Sequence, residues 1–395
     1  MTTASPLIKQ RINSIDLLRG IVMIIMALDH VRDYFHIHAF DDDPLNLATT
    51  TPALYFTRFI THYCAPTFVF LSGTSIYLQS LRKTKKELSR FLLARGLWLM
   101  LLEIVIVNLF WSFNPLYNFI GLQVIWVIGL SMVIMSAIIF LPLEAVLVLG
   151  LVLVCGHNVL DSYDVKNASP SVWWGLFHQQ SFFPYAKERL VAVFYPLIPW
   201  PGVMMLGYCL GKWYTKDFDA AKRTKYLLIT GSIALVVFVV VRYTNKYGDA
   251  NHWTKQRDGV YTLLSFLNVV KYPPSLLYLC ITLGPSIIAL ALLEKAKGAW
   301  QNFVMVFGKV PMFYYLCHIF LIHFIEVVFF YATGHHNNEI IDQNVPFLFR
   351  PLHYGFNLLV VYSIWISVII ILYPFCKKYS EYKANNPQKK WLSYL

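Results

Sequence analysis

The sequence predicts an all-α, polytopic integral membrane bundle of about ten transmembrane helices, and three observations predict it. Hydrophobic residues make up 57% of the 395 and charged residues only 14%, where a soluble domain carries about 25% charge. Apolar runs of about 20 residues, the length that crosses the hydrocarbon core, recur along the whole chain. The net charge of +12 sits largely in short loops between those runs, as the positive-inside rule requires. That placement excludes a nucleic-acid binder.

The spans fall at 14–36, 60–80, 91–111, 120–141, 143–160, 192–214, 225–243, 275–294, 310–331 and 355–376. Pro196, Pro199 and Pro201 interrupt the sixth, so it is expected to be broken or kinked. With the N-terminus inside, internal segments hold 20 Lys and Arg against 11 outside. The predicted topology is therefore N-in/C-in. The chain reads as one domain over 1–395, with a cytoplasmic N-terminus (1–13), a bundle (14–376) and a cytoplasmic tail (377–395). The start, MTTASPLIKQR, is polar and runs into a full-length span, so no cleavable signal peptide is expected. The predicted location is the cell (inner) membrane, with lipid as the surrounding partner.

The first span carries the chemistry. Within its apolar run sit Asp16, Arg19, Asp29 and His30. Charge at bilayer depth is costly, so such residues mark function by default. The competing reading is snorkelling of Asp16 and Arg19 at the headgroup level, and a neutral bundle histidine at His30. Arg19 and His30 are eleven residues apart, close to three turns, or roughly 16 Å along one face. A cation near the cytoplasm and an imidazole nearer mid-membrane suit an activated acyl donor. The cation holds phosphates, and His is the base usable near neutral pH. Asp29 is a neighbour in sequence and points about 100° away, so it is not assumed to orient His30.

Other spans add candidates. Arg95 is expected to join Arg19 on a diphosphate or to snorkel. Glu103 lies deeper, without a helical partner. His318 lies nine residues beyond Lys309, at a depth comparable with His30, so the two are expected to share a chamber. His323 and Glu326 are three apart and suit a helical polar pair.

Three long external loops, 37–59, 161–191 and 244–274, are rich in Asp, Asn, Tyr and Trp. They suit a sugar or a polar head group, although Trp and Tyr also anchor helices at the interface. His36 and His38 beside Asp41, Asp42 and Asp43 form a weak imidazole/carboxylate cluster. No HExxH, paired CxxC, phosphate loop or GxSxG elbow occurs, and the six cysteines lack ligand spacing. No metal is expected.

Several stretches resemble a known family. These are SIDLLRGIVMIIMALDHVRDYFH at 14–36 and APTFVFLSGTSIYL at 65–78, then FYPLIPWPGVMMLGYCLGKWY at 194–214. KYPPSLLYLCITLGP at 271–285 and GKVPMFYYLCHIFLIH at 308–323 complete the set. Together they are similar to the bacterial membrane family grouped with the catalytic domain of heparan-alpha-glucosaminide N-acetyltransferase. Arg19-x10-His30 also resembles the first-helix signature of acyltransferase-3 type enzymes. The resemblance implies a bundle of ten or eleven helices around a donor tunnel. It implies acetyl transfer from cytosolic acetyl-CoA to an amino or hydroxyl group of an extracytoplasmic sugar or glycan. In the heparan enzyme an Asn corresponds to His30, and the catalytic histidine follows in a His-x-x-Trp-Asn-Gly-like motif in the next external loop. That region here reads YFHIHAFDDDPLNLA. Either His36 or His38 replaces that histidine, or His30 acts as in the acyltransferase-3 type. The acceptor implied is a cell-envelope glycan rather than heparan.

The expected assignment is thus His30 as base, with Asp29, His36, His38 and His318 as further catalytic candidates and Arg19 and Arg95 binding the acyl-CoA. The competing function is a proton-coupled transporter or lipid-linked-sugar flippase. In that reading the same Asp, His and Glu residues relay protons and the broken sixth helix marks a binding site.

Overall fold

A computed structural model describes residues 12–164 and 169–393, and these are mostly helical. Residues 1–11 of the expected cytoplasmic N-terminus, and 394–395 of the tail, lie outside the described residues. Helices α1 (Asn13–Phe35), α2 (Pro52–Thr61), α3 (Cys64–Ser80) and α4 (Lys85–Leu102) come first. A π-helical turn, Glu103–Val107, then leads into α5 (Asn108–Ser112). Strand β1 (Phe119–Leu122) precedes α6 (Val124–Ile138) and α7 (Leu143–Gly156). The short α8 (Asp161–Asp164) and α9 (Val172–Phe177) lead to strands β2 (Ser181–Ala186) and β3 (Arg189–Val193). The remainder is α10 (Trp200–Leu210), α11 (Ala220–Thr244), α12 (Gly259–Leu267), α13 (Leu276–Leu293), α14 (Ala299–Lys309), α15 (Pro311–Ala332) and α16 (Leu358–Asn385).

Local chemistry fixes many of these starts. Thr84 and Glu87 form a reciprocal capping box on α4, satisfying two amides that the first turn leaves open. The Asp219 side chain accepts from Lys222 N–H on α11, and that of Ser275 from Tyr278 N–H on α13.

Among the described residues, six helical stretches are long and apolar enough to cross a membrane: Lys85–Ser112, Leu143–Asp164, Ala220–Thr244, Leu276–Leu293, Pro311–Ala332 and Leu358–Asn385. Their outward faces are apolar too. Ile233, Val236, Val239 and Val240 on α11 are each more than half exposed. A contiguous surface of that kind fits lipid rather than water. Helix α1, 23 residues long, carries the ionisable cluster instead and lies inside. It packs against α2, α3, α13, α14, α15 and α16.

Two glycine contacts let backbones touch. A Cβ at Gly308 would overlap the Asp16 carbonyl oxygen, and one at Gly20 the Val304 carbonyl, so α1 and α14 cross without intervening side chains. The same holds for Gly207 against Phe70 and Gly73 against Met204, where α3 meets α10.

The all-α expectation needs one correction: β1 pairs parallel with β3, and β3 antiparallel with β2, in a three-stranded sheet. It occupies the starts of two expected spans. Residues 119–122 are strand rather than the head of the 120–141 helix. Residues 189–193 are strand before α10, which begins only at Trp200. Pro196 and Pro199 cannot supply the amides a helix there would need, whereas Pro201 sits where α10's first turn tolerates it.

Candidate functional site

The chamber is built on one stripe of α1. Met26, Asp29, His30 and Asp33 follow the i, i+3, i+4, i+7 spacing of a single helix face, and all four line a cavity of about 90 Å³. The opposing wall comes from Arg58 at the end of α2, Trp111 on α5, Tyr315 on α15, Tyr195 after β3, and Lys271 and Tyr272 before α13. That volume holds a few water molecules or an acetyl group.

His30 meets His318 inside this wall. His30 Nδ1 lies 2.7 Å from His318 Nε2, the ring planes are 16° apart, and Trp111 meets the His30 ring edge-on at 4.7 Å. The protons follow from the partners. His318 Nδ1 lies 2.9 Å from the Tyr314 carbonyl oxygen, which only accepts, so Nδ1 carries the hydrogen and Nε2 the lone pair. His30 then donates from Nδ1, which leaves its Nε2 as the basic nitrogen. The two rings form a neutral relay that ends in a base on the chamber.

Asp29 shares the chamber with His30 but does not orient it. Both its oxygens accept from Arg58 Nη1, at 2.5 and 2.6 Å, and Oδ1 also accepts from Arg32 Nη2 at 3.1 Å. Arg32 continues to Asp33 at 2.6 Å. Two arginines thus neutralise two carboxylates in a partly dry site.

A second buried carboxylate holds the loop that delivers Lys271 and Tyr272. Asp249 Oδ2 accepts from Ser275 Oγ at 2.5 Å and from Val270 N–H at 2.9 Å. Burial pushes the Asp249 carboxyl above the usual carboxylate range, against these hydrogen bonds. Burial also pushes the Tyr272 phenol up, but the neighbouring Lys271 ammonium and Arg58 guanidinium outweigh it, and the net direction is down.

Arg19 lies on α1 toward its N-terminal end. It donates to Asp16 at 2.9 Å, to the Gly308 carbonyl at 3.1 Å and to Ser75 Oγ at 3.3 Å. Arg95 is on α4, beside the Gly96 contact with α6. A larger cleft of about 950 Å³ opens at this end, lined by Asn13, Ser14, Arg223, Lys225, Glu294 and Lys295. Arg223 is held there by Glu294 at 2.5 Å.

The other expected residues are placed as follows. His36 and His38 lie beyond the end of α1 and do not line the chamber. The His36 carbonyl accepts from Arg350 Nη2 at 2.8 Å, while His38 Nδ1 lies 3.2 Å from Asp41. The pairing expected of His323 and Glu326 does not form. The two His323 ring nitrogens lie 3.1 and 2.9 Å from the carbonyls of Phe110 and Leu348, and the buried Glu326 carboxylate makes no hydrogen bond. Glu103 faces the backbone of Gln123, Ile125 and Trp126 at the start of α6.

The family model described as heparan-alpha-glucosaminide N-acetyltransferase, catalytic, matches residues 11–242, more than half of the chain. The chain belongs to this family. It is a family of membrane acetyltransferases, and the matched region holds the whole α1 stripe, Arg58 and Trp111. Lys271 and His318 lie beyond it. No curated protein matches the sequence.

Sequence reasoning brought His30 and His318 together by depth, but it passed over Arg58, Lys271, Tyr272 and Tyr195. These come from loops and helix ends. The available signal was the KYPP stretch, read as part of a resemblance and not as a chamber wall.

Proposed function

We propose that this heparan-alpha-glucosaminide N-acetyltransferase family member transfers an acetyl group from cytosolic acetyl-CoA to an amino or hydroxyl group of an extracytoplasmic sugar or glycan. The observation that carries this reading is the 2.7 Å contact of His30 with His318, because it leaves a lone pair at His30 Nε2 in the chamber. His30 Nε2 takes the proton as the acceptor nitrogen or oxygen attacks the thioester carbonyl carbon. The C–S bond breaks, and the departing CoA sulfur takes that proton from His30. Lys271 and Arg58 supply positive charge near the developing oxyanion. Amines and hydroxyls are both served by such a base.

In this reading the bundle has ten spans, N-in/C-in, in the cell (inner) membrane, with the N-terminal end of α1 on the cytosolic side. Arg19, Arg95 and the basic cleft at that end then face the donor's phosphates. His30 lies about 16 Å further along the helix, where the acyl group arrives.

The test is acetyl-CoA binding by thermal shift in detergent, followed by transfer of labelled acetyl to amino sugars. A ligand bound only by the folded state raises stability by about 2.7 kcal/mol at a hundred times its dissociation constant. Stabilisation that weakens in Arg19→Ala is expected. No shift at millimolar donor overturns the reading.

A further inference from the structure

Away from the chamber, His157 and His178 stand 21 residues apart in sequence, yet His157 Nδ1 lies 3.2 Å from His178 Nε2. Both rings are buried. An oxygen of Asp161 joins them, and all three atoms lie within 4.8 Å of one another. Among the described residues this is the one His/Cys/Asp/Glu group close enough to hold a metal ion. His157 and Asp161 come from consecutive turns that follow α7, and His178 closes α9 just before β2.

The surroundings prepare the nitrogens for a cation. Asp164 Oδ2 accepts from His178 Nδ1 at 2.7 Å and is itself steadied through Oδ1 by Trp174 Nε1–H at 2.7 Å. That places the proton of His178 on Nδ1 and leaves the Nε2 lone pair facing His157, the arrangement a carboxylate gives to metal-bound histidines. Asn158 Nδ2–H fixes the Asp161 carboxylate at 2.7 Å. A tetrahedral ion about 2.0–2.1 Å from each nitrogen would set them about 3.3 Å apart, close to the 3.2 Å observed. A hydrogen bond between the imidazoles would account for that distance, but not for a carboxylate oxygen of Asp161 within 4.8 Å of both rings' ligand atoms. Two imidazoles and one carboxylate suit zinc-like ions, whereas magnesium and calcium prefer all-oxygen shells.

We propose that His157, His178 and Asp161 bind one zinc-like divalent cation, which fastens the β-sheet hairpin to the C-terminal end of α7. This revises the expectation of no metal. No sequence motif announced the site, since His157-x3-Asp161 is short and its third ligand comes from another element.

The experiment strips the full-length protein with a chelator in detergent, then titrates zinc chloride against a chromophoric competitor, with magnesium chloride as comparison. One zinc per chain is expected, with a rise in Tm that magnesium does not give. His157→Ala and His178→Ala each lose the binding. Asp164→Asn keeps the stoichiometry with affinity weakened about 10- to 100-fold. Absence of saturable zinc binding by the wild type overturns the proposal without recourse to any variant. So does zinc binding that survives both histidine variants or disappears in His38→Ala/His353→Ala, the pair flanking Asp41.

Discussion

His30 Nδ1 and His318 Nε2 meet at 2.7 Å although 288 residues separate them. In the proposed mechanism the contact makes His318 a positioning residue, because it holds the tautomer that bares His30 Nε2. His30→Ala is expected to lower kcat by about 10²–10⁴-fold, the usual worth of a general base, with donor binding retained. In His318→Gln the side-chain oxygen can still accept from His30 Nδ1, so it should keep more activity than His318→Leu. Steady-state kinetics and the pH–rate profile read this. Full activity in His30→Ala sinks the assignment.

The Asp29–Arg58 pair predicts asymmetric damage. Arg58→Ala removes the partner of both Asp29 oxygens and leaves a buried carboxylate leaning on Arg32 alone. Breaking such a pair costs about 3–5 kcal/mol, read as a lowered Tm in detergent. Asp29→Asn/Arg58→Gln together should cost less than the sum of the single changes. Strict additivity would count against coupling.

Gly308→Ala tests the helix crossing. Its new Cβ would overlap the Asp16 carbonyl, forcing α1 and α14 apart at a cost of about 1–3 kcal/mol. Arg19 would lose its Gly308 carbonyl contact as well. A lower Tm and a weaker response to acetyl-CoA are expected together. An unchanged Tm refutes the close crossing.

His36, just past the end of α1, gives a pH signature. Burial, and then the Arg32 guanidinium, push its imidazole from 6.5 down to about 4. The folded protein therefore binds this proton less readily than the unfolded chain. The resulting stability is complete above about pH 6.5 and is lost as pH falls from there toward 4. His36→Gln should flatten the acid side of the Tm profile while transfer continues, because His36 does not line the chamber. Loss of transfer in this variant would instead make His36 the catalytic histidine.

Much of this arrangement was legible because helices are periodic and membranes have fixed thickness. Counting from the interface put His30 and His318 at one depth, and the α1 cluster stood out against its apolar run. The sheet was not legible: Phe119–Leu122 merges into the following apolar stretch, and β2 contains Pro184. Arg58, Lys271 and Tyr195 reach the chamber through tertiary packing that no local spacing encodes. Asp29 was legible too, as a chamber neighbour that does not orient His30. A 100° offset separates neighbours on a helix wheel, yet a wide stripe admits both.

The Tyr314 carbonyl that ends the histidine relay has a consequence for the membrane itself. A carbonyl accepts a hydrogen bond but takes no proton near neutral pH, so the hydrogen-bonded chain from His30 through His318 ends, among the described residues, at that oxygen. The pair can hold one charge and return it by the way it came. In the proposed transfer, this pair would therefore handle a proton without forming a wire that drains a gradient across the membrane.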